Sequence, residues 1–149
     1  MSPSGIVIPA EYAYVAGALA STIWLNIWQF LRVARARKAA KIDYPQMYAE
    51  VQQAKDRREA HLFNCAQRAH QNTLESLPTV LISTAIAGVQ FPTYAAAGLG
   101  LWVAGRVLYT IGYSTGEPAK RSRGTIGTIA MLGLILGASY TAVDLIRSI

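Results

Sequence analysis

The stretch FNCAQRAHQNTLESLP, residues 63–78, opens an apolar segment yet carries Arg68, His70, Asn72 and Glu75. On a helix, Arg68, Asn72 and Glu75 fall at i, i+4 and i+7 and share one face. A cation, an amide and a carboxylate in one row are costly where lipid is close. They persist there when they pair with each other, line a wet cavity or hold a polar ligand.

Composition sets the surroundings of this row. Of 149 residues, 52% are hydrophobic and 15% charged, against about 25% charged in a soluble domain. With a mean hydropathy of +0.25, this points to a membrane protein. The net charge of +6 raises the question of nucleic acid, but the basic residues flank apolar segments, so a membrane surface is the better partner. One cysteine, Cys65, excludes an intramolecular disulfide and a cysteine-only metal site. No basic region precedes the first apolar stretch, which is therefore expected to stay as an anchor rather than be removed as a signal peptide.

Outward from the row, the chain reads as four spans, near residues 10–32, 62–91, 94–113 and 125–146, in a single domain over 1–149. Tyr12–Leu31 has no charged residue, long enough to cross the hydrocarbon. Arg32–Ala60 holds eight Lys and Arg and the helix-breaking Asp43-Tyr44-Pro45; most of these charges are read as a solvated, topology-setting loop, with a helix over 48–60. Gln90–Thr93 makes a turn without Lys or Arg, whereas Ser114–Gly124 is basic. By the positive-inside rule both termini are non-cytoplasmic and the loops after spans 1 and 3 face the cytosol, with Arg147 the one exception. Gly133 and Gly137 form a GxxxG pair suited to close helix contact.

This topology brings span 2's row to the level of Arg106, Tyr109 and Tyr113 on span 3, spaced i, i+3 and i+7. Arg106 lies roughly 10 Å deeper than Tyr113. Arg37 and Lys38 after span 1, and Lys120 and Arg121 after span 3, reach the same depth. Such a set suits a small anionic ligand bearing an amine: arginines grip carboxylates and Glu75 accepts an ammonium. Duller readings stand beside this one. Arg106 pairs with Glu75 as a structural bridge, Tyr109 and Tyr113 are interface aromatics, His70 is a packed histidine, and Cys65 is a small buried side chain. Two histidines nine residues apart are poor ground for a metal site.

RAHQNTLE followed by Pro78, and GRVLYTIGYSTGEPAKRSRG, closely resemble the MAPEG family, the membrane-associated proteins in eicosanoid and glutathione metabolism, and most of all its type 3 microsomal glutathione transferase branch. The likeness runs over nearly the whole chain, including Asp43-Tyr44-Pro45. It implies an all-α membrane protein, a four-transmembrane-helix bundle, assembled as a homotrimer in the endoplasmic reticulum membrane. Glutathione would be the co-substrate, bound between subunits near the cytosolic face, and no metal is implied. The family's Arg-x3-Asn-x2-Glu signature falls on Arg68, Asn72 and Glu75, its span-3 tyrosines on Tyr109 and Tyr113 with Arg106 deeper, and its basic pair on Arg37 and Lys38. His70 sits inside the same signature and is counted with the glutathione contacts. The thiol-activating cation falls on Lys120 by ungapped counting and on Arg121 after a one-residue shift, and Arg121 is favoured. Ser76 replaces a tyrosine of some relatives, and residues 49–60 form a longer segment than type 3 relatives have.

The implied activity is conjugation of glutathione to lipophilic electrophiles, leukotriene-C4-synthase-like conjugation included, or reduction of lipid hydroperoxides. The protein supplies position and charge, and the ligand supplies the nucleophile. A non-catalytic lipid-binding scaffold of the same family is the runner-up, and it has no need of a complete glutathione site. A small transporter is disfavoured because span 4 offers only small hydroxyls.

Overall fold

The computed structural model describes residues 9–148; the leader reading above rests largely on residues 1–8, outside that range. Four long helices form the fold: α1, Tyr12–Ala40; α3, Arg58–Gln90; α4, Pro92–Tyr113; and α5, Thr125–Arg147. A short α2, Val51–Asp56, and a 3₁₀ helix, Pro118–Gly124, lie in the connections. The protein is an all-α bundle in which α3 and α4 each pack against both α1 and α5, leaving α1 and α5 on the diagonal. Val15, Val80, Leu99, Trp102 and Leu134 fill its middle. A second cluster of Val33, Ala40, Ile42, Ala60 and Phe63 closes the end where α1 finishes and α3 begins.

Much of the outside is apolar. Trp24 and Leu136 are each 71% exposed, which water would penalise and a bilayer rewards. α4 and the segment Pro118–Arg147 are long and apolar enough to cross a membrane. α1 and α3 carry the polar rows instead, Asn26 and Gln29 on one and Arg68 to Glu75 on the other. The chain is a multi-pass integral membrane protein.

Three differences from the sequence reading matter. First, α1 does not stop near Arg32. RVARARKAA is made of good helix formers, and the helix runs to Ala40 before Lys41 takes a left-handed conformation, φ 51°, with its N–H on the Arg37 carbonyl. Second, the loop beyond is pinned as well as solvated: Lys41, Lys55 and Arg58 are exposed as expected, but its backbone is tied down. Asn64 bonds both the N–H (2.7 Å) and the carbonyl (2.9 Å) of Ala49, and Arg57 donates to the Ala40 carbonyl. The helix expected over 48–60 breaks at Arg57 into α2 and the start of α3. Third, Gly133 and Gly137 do not admit another helix backbone. They make room for the Tyr94 ring: a Cβ would stand 2.9 Å from its hydroxyl at Gly133 and 3.1 Å from its edge at Gly137.

Backbone-on-backbone approach occurs elsewhere. A Cβ on Gly105 would lie 2.5 Å from the Gly127 Cα, and one on Gly112 would collide with the Lys120 carbonyl. The 3₁₀ helix and the start of α5 therefore lie flat against the end of α4. That contact holds the Lys120 and Arg121 backbone against the end of α4, with both side chains still open to solvent.

Candidate functional site

The α3 row turns toward α4. Arg68 Nη1 sits 2.7 Å from Glu75 Oε1, with both side chains nearly half exposed. Glu75 thus pairs with Arg68, not with Arg106 as the structural reading of span 3 required. Arg106 is buried and makes its contacts with uncharged groups. Its Nε donates to Thr73 Oγ1 (3.0 Å), its Nη2 to Asn72 Oδ1 (2.9 Å), and its guanidinium lies over the Tyr109 ring at 4.0 Å. Tyr109 in turn meets Tyr113 edge-on, centroids 5.7 Å apart. The Arg121 guanidinium stands 5.9 Å from the Tyr113 ring, while Lys120 is engaged with Glu117 at 2.6 Å. Arg68, Asn72, Glu75, Arg106, Tyr109, Tyr113 and Arg121 thus form one connected α3–α4 surface.

Beneath it runs a polar network that sequence reasoning missed. Gln29 of α1 donates to Thr73 Oγ1 (2.9 Å) and Thr110 Oγ1 (2.7 Å). Each threonine passes its own proton to a carbonyl one turn back, Ala69 and Arg106 respectively. Thr73 therefore accepts from both Gln29 and Arg106, using its full hydroxyl capacity. The available signal was Gln29 itself, a buried amide in a charge-free span.

The other predicted residues lie elsewhere. His70 projects roughly 200° around α3 from Arg68 and meets Asn26 of α1 at 2.8 Å. Arg37 is buried, donating to the carbonyls of Gln46 (2.6 Å) and Ile42 (3.4 Å) between the rings of Tyr44 and Phe63. Lys38 is exposed beside it on a cleft with Lys41 and Tyr44. Within the chain these three do not meet the α3–α4 surface.

Cys65 has an imidazole neighbour after all, His61 Nε2 at 3.6 Å. That nitrogen also lies 2.8 Å from the Gly116 carbonyl. A carbonyl only accepts, so Nε2 carries the proton and cannot take one from the thiol. Cys65 stays a packing residue. Among the described residues, no cluster of three His, Cys, Asp or Glu suits a metal ion.

A buried cation with uncharged partners, an exposed ion pair and two phenols at one end of a helix pair define a class: a polytopic membrane protein with a polar surface set into its bundle. The MAPEG family model matches residues 15–141, and the chain belongs to that family. Its members are mostly glutathione-dependent enzymes, among them transferases, peroxidases and leukotriene C4 synthase.

Proposed function

We propose that the protein is a membrane glutathione transferase with glutathione-dependent peroxidase activity, of the type 3 microsomal branch. The observation that carries this is Arg106: a guanidinium buried within the bundle, held by Thr73, Asn72 and Tyr109 with no carboxylate. It leaves an unneutralised charge against Asn72, on the same α3 row as the Arg68–Glu75 pair. A glutathione carboxylate matches Arg106 or Arg68, and its ammonium matches Glu75. Nothing in a lipid scaffold asks for this set.

The chemistry follows from charge. A free cysteine thiol has a pKa of about 8.5, and a fixed cation nearby lowers it. Arg121, permanently charged and beside Tyr113, is the activating residue; Lys120 is second because Glu117 already neutralises it. The thiolate sulfur attacks an electrophilic carbon. For an epoxide, the carbon–oxygen bond breaks as carbon–sulfur forms, and the alkoxide takes a proton. With a hydroperoxide, sulfur attacks the terminal oxygen, the O–O bond breaks, and an alcohol and a glutathione sulfenic acid result. A second glutathione converts the latter to disulfide and water.

The two faces of α3 also support a shared site. Lys38 and His70, turned away from Arg68, reach a ligand only if a neighbouring copy presents them, as in a cyclic homotrimer. The basic ends of α1 and the 3₁₀ helix then lie at the cytosolic side of the endoplasmic reticulum membrane. Glutathione binding to detergent-purified protein, followed by ultraviolet titration of the bound thiolate, tests the enzyme. Absence of both binding and thiolate returns the protein to the scaffold branch. Mixed oligomers test the sharing. Arg68→Ala and the double variant Lys38→Ala/His70→Ala, each inactive alone, should regain about a quarter of the sites when co-expressed. No regain places the whole site in one protomer.

A further inference from the structure

The last turns of α1, the first turns of α3 and the end of α4 enclose a cleft of about 290 Å³, separate from the α3–α4 surface. Arg32, Arg35, Glu59 and Ser114 line it over an apolar floor of Leu62 and Ala66. Its polar groups are unmatched. Among the described residues neither arginine nor Glu59 forms an ion pair. Arg32 Nε and Ser114 Oγ are buried with no hydrogen-bond partner. Trp28 backs the Arg32 guanidinium at 5.1 Å without giving it an acceptor. Buried donors are nearly always satisfied in folded proteins, so two orphans on one cleft mark a place where an outside acceptor completes the structure.

Depth and charge say what that acceptor is. Arg32 is the first charge after the uncharged Tyr12–Leu31 run, which places the cleft at the level of lipid headgroups. Two guanidiniums match one phosphate. Glu59, on the opposing helix, matches an ammonium that can donate hydrogen bonds. A quaternary choline has no N–H to give it, and a glycerol headgroup has no positive charge.

We propose that this cleft binds the headgroup of phosphatidylethanolamine, with Arg32 and Arg35 on the phosphate, Ser114 donating to it, and Glu59 on the ammonium. The site is independent of glutathione. It fixes a lipid at the seam between α1 and α3, at one end of the bundle.

Native mass spectrometry of the whole protein, released from micelles holding equal fractions of phosphatidylethanolamine, phosphatidylcholine and phosphatidylglycerol with matched acyl chains, reads the site directly. Phosphatidylethanolamine adducts should dominate, and Arg35→Glu should reduce them about tenfold or more. Arg35 is exposed, so this variant keeps its fold, which a thermal unfolding curve verifies. Glu59→Gln should erase the preference over phosphatidylcholine while leaving phosphatidylglycerol adducts undiminished. Equal adducts for the three lipids, or unchanged phosphatidylethanolamine in folded Arg35→Glu, overturns the proposal. So does soluble phosphoethanolamine binding as tightly as the lipid, which would make the occupant a water-soluble phosphate.

Discussion

Arg37 and Arg106 are both buried, 9% and 7% exposed, both lie over aromatic rings, and neither has a carboxylate partner. Their surroundings differ in one respect. Arg37 gives its hydrogen bonds to main-chain carbonyls of the loop it clamps, Ile42 and Gln46. Arg106 gives its strongest ones to side chains, Thr73 and Asn72, on a helix row that continues to an open surface. A carbonyl in a folded loop has nothing else to offer, so the first arginine is a latch. A side-chain amide can rotate away and leave its donor to an incoming carboxylate, which is what the proposed glutathione site requires of the second. Burial of a cation alone does not separate the two roles; the nature of its acceptors does.

The sharpest way to break this comparison is Arg37→Ala. It strands two carbonyls and opens the clamp between Tyr44 and Phe63. At about 1.5–3 kcal/mol for a hydrogen bond to a charged group, one of the two being long, the loss should be about 2–4 kcal/mol. Thermal unfolding in detergent measures it, with glutathione affinity of the folded fraction little changed. The opposite pattern, full stability with lost affinity, would move Arg37 to the ligand side.

Next in size is the α3–α4 surface itself. Arg68→Ala, Glu75→Gln and Arg106→Gln should each weaken glutathione binding by about tenfold or more, the worth of one charge-assisted hydrogen bond. Isothermal titration decides, and unchanged affinity in all three would leave Arg106 a second latch.

Thiol activation should respond more gently. Arg121→Ala should raise the midpoint of the ultraviolet thiolate titration by about one pH unit and slow turnover at neutral pH, because removing a cation disfavours the anionic form. Lys120→Ala should shift it less, since Glu117 already offsets that charge. A larger shift for Lys120 would reverse the assignment.

The smallest effect is expected at Gln29→Leu. The change removes two donors but also the buried, unpartnered Gln29 Oε1, and both threonines keep their carbonyl acceptors. Stability should move by less than about 1 kcal/mol either way, with Arg106 still held and affinity retained. A large loss of affinity would show that Gln29 orients Arg106 through Thr73.

Much of this was legible in the chain because it is periodic. Arg68, Asn72 and Glu75 share a face by arithmetic, as do Arg106, Tyr109 and Tyr113, and both rows survive in the folded protein. Other features hid because they depend on partners far away in sequence. Thr73 and Thr110 look like ordinary residues of apolar helices until Gln29, 44 and 81 positions distant, reaches them. Arg37 and Lys38 look alike as adjacent cations, yet one step around a helix turns the first inward and leaves the second in solvent.

The sequence by itself determined that the chain is helical and membrane-bound, and which polar residues lie in one row. Those properties follow from local hydropathy and a fixed helical repeat. Only the tertiary structure decided who meets whom: that Glu75 takes Arg68 and leaves Arg106 free of a carboxylate, that Lys120 and Arg121 fold onto α4, and that His70 faces away from the rest of its motif. These outcomes rest on helix rotation and on close approaches such as Gly105 to Gly127. Both are set by packing between segments that share no local pattern.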